Sequence, residues 1–289
     1  MTDTVLVIGA TGMLGKPVAV RLLCDGYRVR VLCRAPDAAR AMLGDGFDYV
    51  AGDVRDPGAL RGAVEGCRFV HVNLKGTTPA ELRAVEVEGT GLTARVAKAA
   101  GVERLTYLSG AGIETASPRL LPVRIKQAAE AAIRASGVPY TILRASHFME
   151  SLDLFVRGRR AIILGRQPLA YHYLAADDYA GQVAAAFRCD QATNLTLTLH
   201  GPQPLTMEQA LTTYVRLIRP DVTMGHMPLW PLRLIGGVTN NGGLKIAVAL
   251  FDAFPRIPET GDTGLADQLL GPATTTIAEW CERRRAGKG

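Results

Sequence analysis

The sequence predicts an α/β protein built on a doubly wound parallel sheet, with a smaller, mainly helical C-terminal lobe. Short apolar runs alternate with helix-period segments through the first half of the chain, and this alternation stops near residue 156. Parallel strands need helical crossovers, so the alternation favours a sheet with helices on both faces. We assign 1–156 to the sheet domain, with 175–200 returning to it, and 157–174 together with 201–289 to the lobe.

The first element, residues 5–34, has the order strand, glycine turn, helix and second strand. Gly9 allows the tight turn, Gly12 lets a pyrophosphate approach the backbone, and Gly15 lets the helix pack near the strand. The spacing GxxGxxG favours a dinucleotide-binding loop, and an ordinary glycine turn is the alternative. We expect the residues between these glycines to contact the cofactor where backbone N–H groups face the anion: Thr11, Met13 and Leu14.

The end of the second strand distinguishes between the two nicotinamide cofactors. A carboxylate there would bind the ribose 2′-OH of NAD, but the sequence has Cys33 followed by Arg34. Lys16 follows the last glycine, and two cations suit the 2′-phosphate of NADP(H). The alternative is that Arg34 and Lys16 are solvated surface residues.

A second candidate segment, GDVRDP at 52–57, follows a third strand predicted over 47–50. Open α/β sheets bind ligands at the carboxyl ends of their strands, which is where this segment falls. We expect Asp53 to accept the adenine amino group and Val54 to pack on the ring. The alternative, a polar helix start before Pro57, fits Asp56 better than Asp53.

The remaining elements continue the alternation and then break it. Strands are predicted over 69–74, 104–108, 140–143 and 195–200, and the segment 157–174 is loop-rich. Helices are predicted over 35–43, 60–64, 79–100, 117–136, from 177 to about 187, 207–218, 244–254 and 274–285.

Bulk composition excludes several classes of function. The net charge of +6 is modest, and the basic clusters lack interleaved aromatics, so we expect no direct nucleic-acid binding. The five cysteines form no CxxC pair and no ligand spacing with the histidines, so we expect reduced thiols and no metal site. No apolar run approaches the roughly 18 residues of a membrane span, and we expect no leader before the first strand. We expect a cytoplasmic protein with no membrane contact.

Four motifs resemble the NmrA-like branch of the atypical short-chain dehydrogenase/reductase superfamily. They are GATGMLG at 9–15, GDVRDP at 52–57, RLTYLSG at 104–110 and KQAAEAAIRASGVPYTILRASHFME at 126–150. The resemblance implies a Rossmann-type domain, usually an NADP(H) preference, and a substrate cleft between the two lobes. The family includes quinone and dye reductases as well as redox-sensing regulators that bind the cofactor without turnover.

The chain departs from the superfamily at the catalytic tyrosine. Ordinary members carry Tyr-x-x-x-Lys, but Pro122 precedes Lys126 at that spacing. The resemblance implies that Lys126 acts alone, as acid/base or by binding the nicotinamide ribose, and that Ser109 matches the usual serine approximately. The matching segment in the family lines the nicotinamide at His147 and Phe148, and His147 could donate a proton. A solvated helix lysine and a packed histidine are the alternatives.

Two functions follow from these observations. One is an NADPH-dependent reductase of a small apolar or aromatic carbonyl, quinone or conjugated acceptor. The other is a redox sensor that binds NADP(H) and acts through a protein partner, which the missing tyrosine favours. A small-molecule substrate is expected for the enzyme, and a homodimer or a protein partner stays open.

Overall fold

The computed structural model describes residues 2–287 and contains a central sheet of seven parallel strands. The order across this sheet is β3-β2-β1-β4-β5-β6-β10, so the chain starts in the middle, builds outward in one direction and then in the other. Twelve strands are described in all: β1 (Thr4–Ile8), β2 (Arg28–Cys33), β3 (Asp48–Ala51), β4 (Phe69–Val72), β5 (Arg104–Gly110), β6 (Tyr140–Ala145), β7 (Val156–Arg157), β8 (Arg160–Leu164), β9 (Ala170–His172), β10 (Leu195–Leu199), β11 (Pro204–Thr206) and β12 (Thr223–Met227).

Helices connect these strands and form much of the C-terminal part. The α-helices are α1 (Gly15–Cys24), α2 (Pro36–Leu43), α3 (Pro57–Val64), α4 (Pro79–Glu81), α5 (Thr90–Ala99), α6 (Leu121–Ser136), α7 (Ala176–Arg188), α8 (Met207–Ile218), α9 (Leu229–Val238), α10 (Gly242–Ala253), α11 (Gly264–Leu270) and α12 (Ile277–Arg285). A π-helical segment, Leu82–Gly89, joins α4 to α5, and 3₁₀ turns span Met149–Phe155, Asp190–Ala192 and Phe254–Arg256.

Each face of the central sheet packs against its own helical layer. On one face, α1 and α7 lie together, and the buried cluster there includes Leu22, Tyr179 and Val183. On the other face, α3, α5 and α6 bury a second cluster that includes Leu60 and Ile133. Burial on both faces explains why the strands appear in the sequence as continuous apolar runs rather than alternating ones.

The smaller lobe has its own apolar cluster and two small sheets. β8 pairs with β12 in parallel and with β7 in antiparallel fashion, while β9 pairs with β11. Helices α8 and α12 pack on each other there, around Tyr214 and Trp280. The tail is not confined to this lobe, because Ala266 and Leu270 of α11 pack in the cluster beneath α7.

The fold class predicted from the sequence is confirmed, and the differences concern particular elements. The predicted helix over 79–100 contains the π-helical segment, and the loop-rich segment 157–174 contains two short strands. Helices α9 and α11 were not predicted. β8 and β9 are too short to show a period, and they pair with strands from distant parts of the chain, so no local pattern predicts them.

No helix among the described residues is both long enough and apolar enough to cross a bilayer.

Candidate cofactor site

The three glycines of the loop after β1 are fixed by close backbone approach. A Cβ on Gly9 would lie 2.0 Å from the carbonyl oxygen of Asn73, and Gly9 has a φ of +88°. A Cβ on Gly15 would lie 2.0 Å from the carbonyl oxygen of Gly9. A Cβ on Gly12 would approach only that same oxygen, at 3.2 Å, so its other side faces open space. The loop is therefore packed against backbone at Gly9 and Gly15 and open to solvent at Gly12, where a pyrophosphate could approach.

Helix α1 begins at this loop without a side-chain cap and without an acidic residue in its first turn. The Gly12 N–H donates to the Gly9 carbonyl at 3.0 Å, and the Lys16 N–H donates to the Gly12 carbonyl at 3.0 Å. Between them, Met13 is exposed, and Thr11 and Leu14 are partly exposed. An uncapped helix N-terminus attracts an anion through its N–H groups and its dipole, so the loop fits a phosphate group.

The two cations predicted to bind the 2′-phosphate are both exposed. Neither Lys16 nor Arg34 lies within 4.0 Å of a carboxylate among residues 2–287. Arg34 does act at longer range, since it contributes to lowering the pKa of Asp53 and of Glu81. Both cations can therefore accept an anionic ligand without first breaking an ion pair.

The predicted adenine-binding residues have partners within the protein. Asp53 receives hydrogen bonds on both carboxylate oxygens from Arg55, at 2.8 Å from Nε and 2.7 Å from Nη2. The Arg55 side chain lowers the pKa of Asp53 to about 2. Val54 is buried, and a Cβ on Gly89 would lie 2.8 Å from its side chain. Adenine contact at Asp53 and Val54 remains a prediction, and any adenine amino group would share Asp53 with Arg55.

Lys126 lies on α6, its ammonium reaches the carboxyl end of β5, and only 25% of its side chain is exposed. Its Nζ donates to the Leu108 carbonyl at 3.2 Å, lies 3.4 Å from the Tyr107 hydroxyl and pairs with Glu86 at 3.4 Å. Glu86 also accepts from the Gly76 N–H at 2.9 Å, which fixes it next to the segment that follows β4. Lys126 is therefore not a solvated helix lysine.

These contacts determine the charge of Lys126. Burial by itself lowers the pKa of the ammonium, but the negatively polarised oxygens of Tyr107 and Glu86 outweigh it, and the net pKa is raised. Burial raises the pKa of Tyr107 in spite of the nearby Lys126. Lys126 is a permanent cation near pH 7, able to donate a hydrogen bond but unable to act as a base.

Ser109 points into a buried ionic network rather than toward Lys126. Its hydroxyl donates to Glu130 at 2.7 Å, and Arg144 holds the same carboxylate at 2.9 Å and 2.8 Å. Arg134 adds a further bond at 2.9 Å. The catalytic role suggested for Ser109 stays a prediction, and its hydroxyl is occupied in this structure.

His147 and Phe148 lie where the chain leaves β6, and both pack among aromatic rings. The His147 ring lies 4.0 Å from the Tyr171 ring and 5.0 Å from that of Phe254, centroid to centroid. Burial lowers the pKa of His147 to about 4, so the imidazole is neutral at pH 7. Phe148 is buried against Tyr179. His147 can thus donate only through a neutral ring N–H, and both roles beside the nicotinamide stay predictions.

The partners of Lys126 could not be predicted from the sequence. Glu86 lies within a predicted helix, where a carboxylate is normally a surface residue, and Tyr107 lies in an apolar strand, where an aromatic is normally core. A π-helical segment such as the one carrying Glu86 is frequent at functional sites.

A parallel sheet of this order, with a glycine loop after its first strand, defines a Rossmann-type dinucleotide-binding protein. A model of the NAD(P)H-binding family matches residues 9–217. The chain belongs to this NAD(P)H-binding family. The predicted Rossmann-type NAD(P)H-binding family and the predicted nicotinamide cofactor are confirmed.

The names of similar curated proteins describe different functions. An NAD(P)H azoreductase from Xenophilus azovorans is 29% identical over 70% of this chain and 69% of its own length. A photosystem II assembly factor from Trieres chinensis is 23% identical over 81% of this chain and 75% of its own length. The chain spans only 61% of the length of another curated relative.

Solved structures share the fold. Triphenylmethane reductase from Citrobacter sp., solved as a complex with NADP(H), superposes with a TM-score of 0.73 at 20% identity, covering 96% of this chain and 99% of that protein.

Proposed function

We propose that this protein is an NADPH-dependent reductase of a small apolar or aromatic acceptor, such as a quinone, an enone or an azo compound. One observation carries the proposal: Lys126 presents a largely buried, permanently charged ammonium at the same edge of the sheet as the bare glycine loop. Glu86 and the segment after β4 connect the two, since Asn73 packs on Gly9 and Gly76 bonds to Glu86.

Two groups of residues would have different roles: one would bind the cofactor, and Lys126 would orient the nicotinamide ribose or polarise the acceptor. The loop from Gly9 to Gly15 would hold the pyrophosphate, and Lys16 and Arg34 would bind the 2′-phosphate. The bound cofactor supplies the hydride. Lys126 would orient the nicotinamide ribose or polarise the acceptor oxygen, and its buried setting strengthens either interaction because little water screens the charge.

The cofactor preference is tested by titrating the purified protein with NADPH and with NADH. Arg34→Ala should weaken NADPH binding about tenfold or more, since it removes a charge-assisted hydrogen bond worth roughly 1.5–3 kcal/mol, and should leave NADH binding unchanged. Arg61→Ala, which removes an exposed arginine of α3, is the matched control and should change neither. Tighter binding of NADH than of NADPH to the unaltered protein would contradict the assignment.

The reductase activity is tested by following NADPH absorbance at about 340 nm with a panel of quinones, enones, aldehydes and azo dyes. Lys126→Met keeps the length of the side chain and removes its charge, and should lower kcat at least about a hundredfold, in the range typical for losing one electrostatic donor. Lys98→Met on the exposed side of α5 should leave kcat unchanged. No turnover with any acceptor would reject the enzyme.

The second candidate is a non-catalytic NADP(H)-binding sensor that acts through a protein partner. The observation that favours it is the exposed apolar face of α9, where Val238 is 88% exposed and Trp230 and Leu234 are each 62% exposed. A face of this kind is typical of interaction sites. The name of the Trieres chinensis relative points the same way. If NADPH binds but no acceptor is reduced, and Lys126→Met changes only binding, this candidate replaces the first.

A further inference from the structure

Three side chains that are far apart in the sequence meet at the far end of the sheet's carboxyl edge. His172 ends β9, His200 directly follows β10, and Glu259 lies between the last 3₁₀ turn and α11. The His172 Nδ1 lies 2.5 Å from one Glu259 oxygen, and the His200 Nε2 lies 3.7 Å from the other. One nitrogen of each imidazole and one carboxylate oxygen all lie within 4.8 Å of one another.

The charge of this cluster is not balanced by a permanent cation. The Glu259 side chain is only 7% exposed, and within the part of the chain that is described its ion-pairing partners within 4.0 Å are the two histidines alone. The buried Glu130 differs, because arginine side chains hold it. A buried carboxylate without a fixed countercharge is costly, and a divalent cation would remove that cost.

A second sign is a buried ring nitrogen that makes no hydrogen bond. The His200 Nε2 is inaccessible to solvent and has no hydrogen-bond partner among residues 2–287. Buried polar atoms are nearly always satisfied, so such an exception calls for a partner of another kind. A neutral imidazole nitrogen directed at a carboxylate is a ready metal ligand.

We propose that His172, His200 and Glu259 form a binding site for a divalent transition-metal ion, and that the ion is Zn²⁺. Two imidazoles and a carboxylate match the ligand types zinc takes, and three protein ligands leave a fourth position for water. Zinc bonds of about 2.0–2.2 Å place tetrahedral ligands roughly 3.4 Å apart, between the two nitrogen-to-oxygen distances measured here. The rings lie parallel, at 3°, so they must turn about χ2, which is a soft torsion.

The surroundings support the site in two further ways. The Ser146 hydroxyl donates to Glu259, and the His172 N–H donates to it at 3.0 Å, so the carboxylate is oriented by neighbours that would not themselves bind the ion. About a third of the His172 side chain is exposed, which leaves a path for the ion from solvent. Because the three ligands come from segments more than 25 residues apart, the sequence contained no ligand spacing, and it was interpreted as having no metal site.

The test uses the full-length protein without a histidine tag, stripped with EDTA and dialysed. Titration with Zn²⁺ in competition with a chromophoric chelator should show one ion per chain. His200→Ala and Glu259→Gln should each weaken binding at least about a hundredfold, while His226→Ala, which removes an exposed histidine of β12, should change nothing. Zn²⁺ should raise the Tm of the unaltered protein and of His226→Ala only.

A gain-of-signal variant separates loss of binding from loss of fold. His200→Cys supplies a thiolate, which zinc also accepts, and should restore binding and give a thiolate-to-metal charge-transfer band when Co²⁺ replaces Zn²⁺. Less than one ion per chain in the unaltered protein would overturn the proposal. Zinc binding that survives both His200→Ala and Glu259→Gln would overturn it too, because the ion would then be bound elsewhere on the chain.

Discussion

The charged side chains at the two ends of the sheet's carboxyl edge differ in burial and in ion pairing. At the end towards β3, near β1 and β2, Lys16 and Arg34 are exposed and have no ion pair among the described residues. At the end towards β10, near β5 and β6, Glu130 is buried and bound by Arg144, Arg134 and Ser109. Groups without internal partners are free to bind a ligand, whereas groups satisfied internally hold neighbouring elements together. The difference separates charged residues that are available to a ligand from charged residues that are already paired within the protein.

The largest loss of stability is expected in the glycine loop after β1, where backbone atoms of neighbouring segments are in close contact. Gly9→Ala places a Cβ 2.0 Å from the Asn73 carbonyl at a φ of +88°, so strain and overpacking add, and the free energy of unfolding should fall by about 3 kcal/mol or more. Gly66→Ala also has a positive φ, of +70°, but meets nothing within 4 Å, and should cost only about 1–2 kcal/mol. Urea unfolding measures both, and equal losses would show that Asn73 does not constrain the loop.

The second effect tests whether the charges at the other end stabilise the fold. Glu130→Gln keeps the shape of the side chain but removes the buried carboxylate that pairs with Arg144 and leaves that arginine only Glu114, so stability should fall by about 3 kcal/mol. Glu103→Gln breaks an exposed pair with Arg68 and should cost less than about 1 kcal/mol. Affinity for NADPH in the folded Glu130→Gln protein should be unchanged. A tenfold loss of affinity would mean that the two ends are coupled.

The smallest effect concerns the strand between the two ends, where His71 of β4 is fully buried and bonds to Thr106 at 2.9 Å. Burial lowers the pKa of His71 to about 3 from 6.5, so the unfolded chain binds the proton more readily between these values. Stability therefore falls as the pH drops below 6.5, by about 2 kcal/mol at pH 5 at about 1.4 kcal/mol per pH unit.

His71→Gln removes this contribution while keeping a group that can bond to Thr106. The difference in unfolding free energy between pH 7 and pH 5 should therefore shrink in the variant. The exposed His226→Gln is the control and should follow the unaltered protein. If His71→Gln loses as much stability on acidification as the unaltered protein, His71 is accessible to protons in the folded state.

Features encoded by neighbouring residues could be predicted from the sequence. The glycine loop, the helices that cover the two faces and the run of buried strands follow from spacing over fewer than about 20 residues, because turn geometry and burial on both faces are local or periodic constraints. Arg34 and Lys16 could be named because their positions relative to the loop are fixed by one strand and one helix. Whether they bind a phosphate stays a prediction.

Features that depend on tertiary contacts could not be predicted from the sequence. Glu86 pairs with Lys126, and Glu259 pairs with His172 and His200. These residues are too far apart in the sequence for any helix or strand periodicity to relate them. The sequence suggested that Ser109 would face the reaction, but its partner Glu130 lies on α6, and nothing in either segment indicates the bond between them. A polar residue in a buried strand shows that a partner is needed without showing which one.

The pairing of β10 with β6 has a consequence for how the protein is made. β10 is paired along β6 from Leu195 to Leu199, and α7, which precedes it, lies against α1. A ribosome therefore releases the first helix long before the segment that covers its apolar face has been synthesised. The apolar face of α1 therefore stays uncovered in the nascent chain until Arg188, the last residue of α7, has left the exit tunnel.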